Sequence, residues 1–165
     1  MDQDLNIRNI AEDDWDSIVA LEAEAYTDCG LSEGRAALES RASASPATCF
    51  VLDVDRQTVG YVLALPYPAF RYPDLTRPET TGFRSDNLHL HDLVIAGRFR
   101  GQGLAKHLLH HLVTAAGSRQ HNRISLIAVG GSDSFWSANG YRAHHEVALS
   151  SSYGEKAVYM SKAVP

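Results

Sequence analysis

The sequence predicts an α/β fold: a mixed central sheet of about seven strands, antiparallel in its N-terminal part, with one parallel pair around a long helix and about four flanking helices. Three observations predict it. Period-two and short apolar runs recur along the whole chain, and two helical stretches precede the first hairpin. Between Leu88 and Gly117 a strand then passes through a short basic, glycine-containing turn straight into the strongest amphipathic helix. A chain of 165 residues, 44% hydrophobic and 21% charged, suffices for one packed core and is short for two.

Leu5 to Ile10 alternates apolar and polar residues as a half-buried strand does. Glu12-Asp13-Asp14 supplies an acidic first turn for a helix carrying Trp15, Ile18, Val19 and Leu21 and fading near Tyr26. Gly30 and Gly34 bracket a turn, and Arg35 to Ala44 reads as a second helix ending before Pro46. Thr48 to Val54 and Thr58 to Leu65 form a hairpin through Asp55-Arg56-Gln57, with Gly60 marking a bulge or a close approach. Pro66 to Asn87, rich in Pro, Tyr and Arg, follows neither period, and a loop this long within a compact domain is usually functional or disordered.

Leu88 to Ile95 is the next strand, and Gly103 to Ala116 the main helix, with Leu104, Leu108, Leu112 and Ala115 in register and Gly117 as its stop. Arg123 to Val129 is another strand. A right-handed crossover would lay it parallel to Leu88 to Ile95. Ser132 or Asp133 can cap a short helix that Gly140 ends, and the last strands are expected at Arg142 to Leu149 and Ala157 to Lys162.

A net charge of −5 leaves no global basic field for nucleic acid or an anionic membrane. The acidic start MDQDLNIRNI does not read as a signal peptide, and no apolar run has membrane-spanning length, so a cytoplasmic protein is expected. Cys29 and Cys49 lack CxxC spacing and read as free thiols, a structural pair staying open. His107 and His111 lie one helical turn apart, but no Cys or carboxylate cluster completes a ligand set, so no metal is expected.

The turn before the main helix is an anion site in outline, because unpaired N–H groups and the helix dipole converge on one point. A P-loop pattern is absent, and a dinucleotide fingerprint would need a glycine where Lys106 stands. Arg100-Gly101-Gln102-Gly103-Leu104-Ala105 fits Arg/Gln-x-x-Gly-x-Gly/Ala, and FWSANGY at 135–141 is similar to a Phe-Tyr-x-x-x-Gly-Phe signature. In both, and in the order of elements over nearly all 165 residues, the chain resembles the GNAT superfamily of N-acetyltransferases.

The resemblance implies a single acetyltransferase domain over 1–165 that moves an acetyl group from acetyl-CoA, the acyl-donor substrate, to an amine by direct attack in a ternary complex. It further implies that backbone groups of Leu93, Val94 and Ile95 pair with the pantetheine arm, and that Arg100, Gly101, Gln102, Gly103, Leu104, Ala105 and Lys106 hold the pyrophosphate. The acceptor would be a small-molecule or peptide amine, the assembly a monomer or homodimer. An alkyl ammonium is almost fully protonated at neutral pH, so a base is required. His89 and His91 are the candidates; strict alternation would put them on one face with Leu93 and Ile95, and Asp92 on the other with Leu90 and Val94. Asp92 reads as structural or substrate-orienting. Trp136, placed against the cofactor, stands where the family usually has the tyrosine that protonates the leaving thiolate, which leaves Ser134 and Tyr153 as candidate acids. Tyr26, Tyr67, Phe70 and Tyr72 are candidate substrate contacts, with Arg71 and Arg77 able to frame an aromatic or anionic acceptor. The competing readings are a non-catalytic acyl-CoA sensor and a histidine-based metal-binding regulatory domain.

Overall fold

The computed structural model of the protein describes residues 4–80 and 82–165; the first three residues of the acidic start and Thr81 of the long loop lie outside it. The chain runs β1 (Leu5–Asn9), α1 (Trp15–Tyr26), α2 (Arg35–Ala44), β2 (Phe50–Val54), β3 (Gln57–Pro66), β4 (Asn87–Ile95), α3 (Leu104–Ser118), β5 (Arg123–Ala128), α4 (Asp133–Ala138), β6 (Arg142–Ala143) and β7 (Val158–Ala163). The strands form one seven-stranded sheet in the order β1-β2-β3-β4-β5-β7-β6, in which only β4 and β5 are parallel. This is the mixed sheet with a parallel pair around the main helix that the sequence predicts.

Alternation along the strands loads both faces of the sheet. On one face Leu52, Val62, Leu88, Leu90, Ile95, Ile124 and Met160 pack with Leu104, Leu108 and Leu112 of α3. On the other, Val51, Tyr61, Leu63 and Val94 pack against Trp15 and Ile18 of α1 and Leu38 of α2. The β2–β3 hairpin turns on Asp55 and Arg56, both at positive φ (50° and 69°), which gives a two-residue turn the twist its strands need. Gly60 is a close approach: a Cβ there would sit 2.7 Å from Ile95 Cδ1 and 2.9 Å from the Val94 carbonyl oxygen.

Two boundaries differ from expectation. Helix α3 runs through Gly117 to Ser118, and Gln120 takes the left-handed position (φ 65°) that lets the His121 N–H reach the Ala116 carbonyl at 2.9 Å. The strand expected over Arg142 to Leu149 is only Arg142–Ala143. Beyond it the chain bonds sideways to the long loop, where the Tyr72 hydroxyl donates to the Ala148 carbonyl and accepts from the Ser150 N–H.

The decisive irregularity lies in β4. Leu63 pairs with Asp92 but Ala64 pairs with Leu90, so His91 is a surplus residue, a β-bulge. Strict alternation fails there: Leu90, Leu93 and Ile95 share the α3 face, while Asp92 and Val94 fall on the α1/α2 side. His89 bonds Ser125 among Tyr67 and Tyr159, so it does not share a face with Leu93 and Ile95 as alternation alone would have it. In the same region β4 and β5 part company, since their pairing ends at Leu90 with Leu126.

Candidate active site

The parting of β4 from β5 opens a wedge in the middle of the sheet, continuous with a cleft at the start of α3. That cleft has a volume of about 760 Å³ and is walled by Leu93, Val94 and Ile95, by residues 99–101 and 103–106, by Ser132 and Phe135, and by Ala25 and Tyr26 at the end of α1. Gly101 and Gly103 hold left-handed φ values of 78° and 79°, which aim the backbone of the turn into the opening. No side chain caps α3, because its N-cap is Gly103, and a Cβ at 101 or 103 would meet nothing within 4 Å. The first N–H groups of a 15-residue helix therefore face the cleft without a protein acceptor. A pyrophosphate fits this surface, with Lys106 and Arg100 at its edge. Arg100 Nε already donates to the Ile95 carbonyl at 3.1 Å, tying the turn to the end of β4.

Across the wedge stands His91. Its side chain is only 2% exposed, and its Nε2 lies 2.6 Å from Glu33 Oε2. Burial alone would raise the Glu33 carboxyl, but His91 and Arg41 hold it below its ordinary value. The carboxylate is thus the acceptor and Nε2–H the donor; Nδ1, the other ring nitrogen, is buried and has no partner. Glu33 Oε1 in turn receives Arg41 Nη2 at 2.6 Å, and Arg41 Nη1 reaches Glu79 Oε1 at 2.7 Å. Arg41 Nη2 also donates to the Asp74 and Arg77 carbonyls. This guanidinium, 1% exposed, fastens the long loop to the back of the site.

His91 lines two small cavities. One, of about 50 Å³, is bounded by Glu22, Glu33 and Asp92 together with Tyr26, Leu31 and Tyr153. The other, of about 240 Å³, lies in the wedge against Leu93, Ser132 and Trp136. Asp92 accepts from the Tyr26 hydroxyl at 2.8 Å and the Tyr61 hydroxyl at 2.5 Å. Burial pushes its carboxyl up to about 6, the two hydroxyls pulling it back only in part.

A family model for the acetyltransferase (GNAT) family matches residues 15–141. The chain belongs to that family. A search of curated protein sequences finds no match. Solved GNAT structures of low identity share its fold. Ard1 from Thermoplasma volcanium superposes with a TM-score of 0.76 at 16% identity, covering 98% of each chain. The loading GNATL domain of CurA from Lyngbya majuscula gives 0.79 at 15%, again over 98% of each chain. The PaiA N-acetyltransferase from Thermoplasma acidophilum, solved with coenzyme A, gives 0.69 at 13%, over 97% of this chain and 99% of that one.

Within this GNAT fold the sequence-derived residues separate into those that meet the clefts and those that do not. Leu93, Val94, Ile95, Arg100, Gly101, Gly103, Leu104, Ala105 and Lys106 line the α3 cleft, and Trp136 lines the wedge. Gln102 does not line the cleft; its side chain turns back towards the Arg98 carbonyl. His91, Asp92, Tyr26 and Tyr153 meet at the small cavity. His89 is 1% exposed, bonds Ser125 Oγ through Nδ1 at 2.9 Å, and is driven down to about 3 chiefly by burial, so it is a neutral core histidine. Ser134 is exposed on α4 and borders none of these cavities; Ser132, two residues earlier at the N-cap of α4, borders two. The Tyr153 hydroxyl is engaged, donating to the Pro73 carbonyl at 2.5 Å.

Tyr67, Phe70 and Tyr72 do not reach His91. Tyr67 and Tyr72 line a separate hollow of about 300 Å³ with Arg71 and Arg77, and Phe70 packs on His144 and Tyr159 while its N–H donates to the Tyr159 hydroxyl. Glu22, Glu33 and Arg41 escaped the sequence reading, yet two of them had a signal. Glu22 continues the buried stripe of Trp15 and Ile18, and Arg41 that of Ala37 and Leu38, so each is a charge at a core position. Among the described residues no three His, Cys, Asp or Glu side chains come together as a metal site, and no helix is long and apolar enough to cross a membrane. Cys29 is exposed and Cys49 buried, both as free thiols.

Proposed function

We propose that this GNAT protein is an acetyl-CoA-dependent N-acetyltransferase in which the amine attacks the thioester directly in a ternary complex. The observation that carries the reading is the His91 imidazole, oriented by Glu33, whose side chain lines the wedge that continues from the α3 cleft. The coenzyme A of the solved PaiA relative supports the choice of donor.

In this reading the pyrophosphate rests on the bare N-terminus of α3 and the pantetheine arm runs along the edge of β4 that β5 has left free, at Leu93, Val94 and Ile95. The acceptor enters from the Glu33 side. His91 takes the ammonium proton, the neutral nitrogen forms the C–N bond, the C–S bond of the tetrahedral intermediate breaks to release the thiolate, and the second proton of the attacking nitrogen passes to solvent as the amide forms. Glu33 keeps the imidazole in the required tautomer and balances the charge it acquires. Trp136 supplies an apolar wall where many relatives have an acid. The coenzyme thiolate, conjugate base of a thiol of pKa about 8.5, leaves without one.

The test is thiol release from acetyl-CoA with a panel of amines, followed by mass analysis of the acceptor. Amide formation with at least one amine is expected. Saturable acetyl-CoA binding with no amide product from any amine would favour the sensor reading instead.

A further inference from the structure

Resting on that reading, we infer that the acceptor is a cationic primary amine with no carboxylate beside its nitrogen. The cavity behind His91 carries the argument. Its charged walls are Glu22, Glu33 and Asp92, and neither it nor the adjoining 240 Å³ space is lined by any lysine or arginine among the described residues. Arg41, the cation in contact with Glu33, spends both terminal nitrogens on Glu33, Glu79 and two backbone carbonyls. Glu22 is 1% exposed, and among the described residues only the Ser32 hydroxyl and the Glu33 N–H donate to it, neither of them charged.

A second feature points to a ligand independently of this charge. The His91 side chain is almost wholly buried, lines both spaces, and keeps Nδ1 without a partner. A buried ring nitrogen without a partner, on a side chain that walls both spaces, suits the polar end of a ligand. Negative walls raise the local concentration of a cation and repel an anion. A glycine, alanine or glutamate acceptor would carry its α-carboxylate in among Glu22, Glu33 and Asp92, where like charges a few ångströms apart oppose each other strongly. Size acts in the same direction: about 50 Å³ holds roughly four water-sized groups. That is room for a nitrogen and a few carbons against Leu31, Leu75 and Ile127, and little beyond it.

Two sources share this chemistry, a free alkylamine and a lysine side chain. The wild-type enzyme with saturating acetyl-CoA should be assayed against n-butylamine, Nα-acetyl-lysine methylamide, alaninamide, alanine and glutamate. Butylamine or the lysine derivative should exceed alanine and glutamate by at least about tenfold in kcat/KM, and the ratio of the first two identifies the source. Alaninamide, which keeps the shape of alanine without its carboxylate, should exceed alanine, and equal rates for the two would count against the charge argument. Glu22→Gln should narrow the gap between butylamine and alanine several-fold. Alanine or glutamate used as well as butylamine would overturn this inference while leaving the acetyltransferase reading intact. Acetyl-CoA binding with no turnover of any amine would overturn both.

Discussion

Nε2 of His91 donates to Glu33 Oε2 across 2.6 Å, although 58 residues separate the two in the chain. The bond joins the β4 bulge to the turn ahead of α2, and it decides which ring nitrogen is free. His91→Ala should lower kcat by about 100-fold or more, the contribution of a positioned base, with the acetyl-CoA dissociation constant unchanged. Glu33→Gln should cause a smaller fall. Steady-state thiol release together with calorimetric titration of acetyl-CoA checks both, and wild-type turnover in His91→Ala would move the base elsewhere.

His89 predicts an acid sensitivity of the fold. The unfolded chain takes up a proton on this imidazole near pH 6.5, whereas the folded chain resists until about 3, so below 6.5 the unfolded state gains. Stability is lost as pH falls through that window, by about 1.4 kcal/mol per pH unit for this proton. Asp92 acts in the opposite sense between its ordinary 3.8 and about 6, because the folded chain keeps that proton longer. Urea unfolding of wild type and His89→Gln across pH 4–7 separates the two: the difference between the curves should grow towards acid, and parallel curves would refute a neutral buried His89.

Gly60→Ala should disturb the cofactor cleft from behind. The added Cβ presses on the Val94 carbonyl oxygen, a backbone atom, and on Ile95. A cost of about 1–3 kcal/mol is expected from such overpacking. Since Val94 and Ile95 wall the α3 cleft, acetyl-CoA affinity should fall with stability, and thermal melts with and without acetyl-CoA read out both.

Arg41→Met should be among the most damaging single changes. It strands the Glu33 and Glu79 carboxylates, 5% and 9% exposed, without their cation. Breaking one side of a buried ion pair costs about 3–5 kcal/mol, or a fall in Tm of about 10 °C for a chain of this size. Calorimetric melting tests it. A shift under 2 °C would show that the network is solvated.

Gly103→Val addresses the phosphate cradle. A branched side chain is strained at φ 79° and would project into open cleft, so coenzyme A affinity should drop at least about tenfold. Unchanged affinity would remove the pyrophosphate from this turn.

Much of the fold was legible because its signals are local. The Arg35–Ala44 helix has its start and stop residues in sequence, and the glycine turn by itself announces the α3 cleft. What escaped is non-local. Nothing around Leu88-His89-Leu90-His91 marks the surplus residue, because a bulge arises from pairing with β3, and it reverses the facing of every residue after it. That is why His89 and His91 looked equivalent and are not. Likewise Glu33 acquires its role only when Arg41 and His91 arrive beside it. The aromatic loop misled for a related reason: Tyr72 and Phe70 read as substrate contacts by composition, yet their bonds hold the chain after β6 and β7 in place.

Tyr26 borders the α3 cleft and both spaces around His91. A side chain with one surface towards each substrate cannot be displaced by one of them without altering the room left for the other. The two affinities are therefore linked, and by the same factor in either direction. The room in the α3 cleft and the room beside His91 are thus set together by one tyrosine at the end of α1.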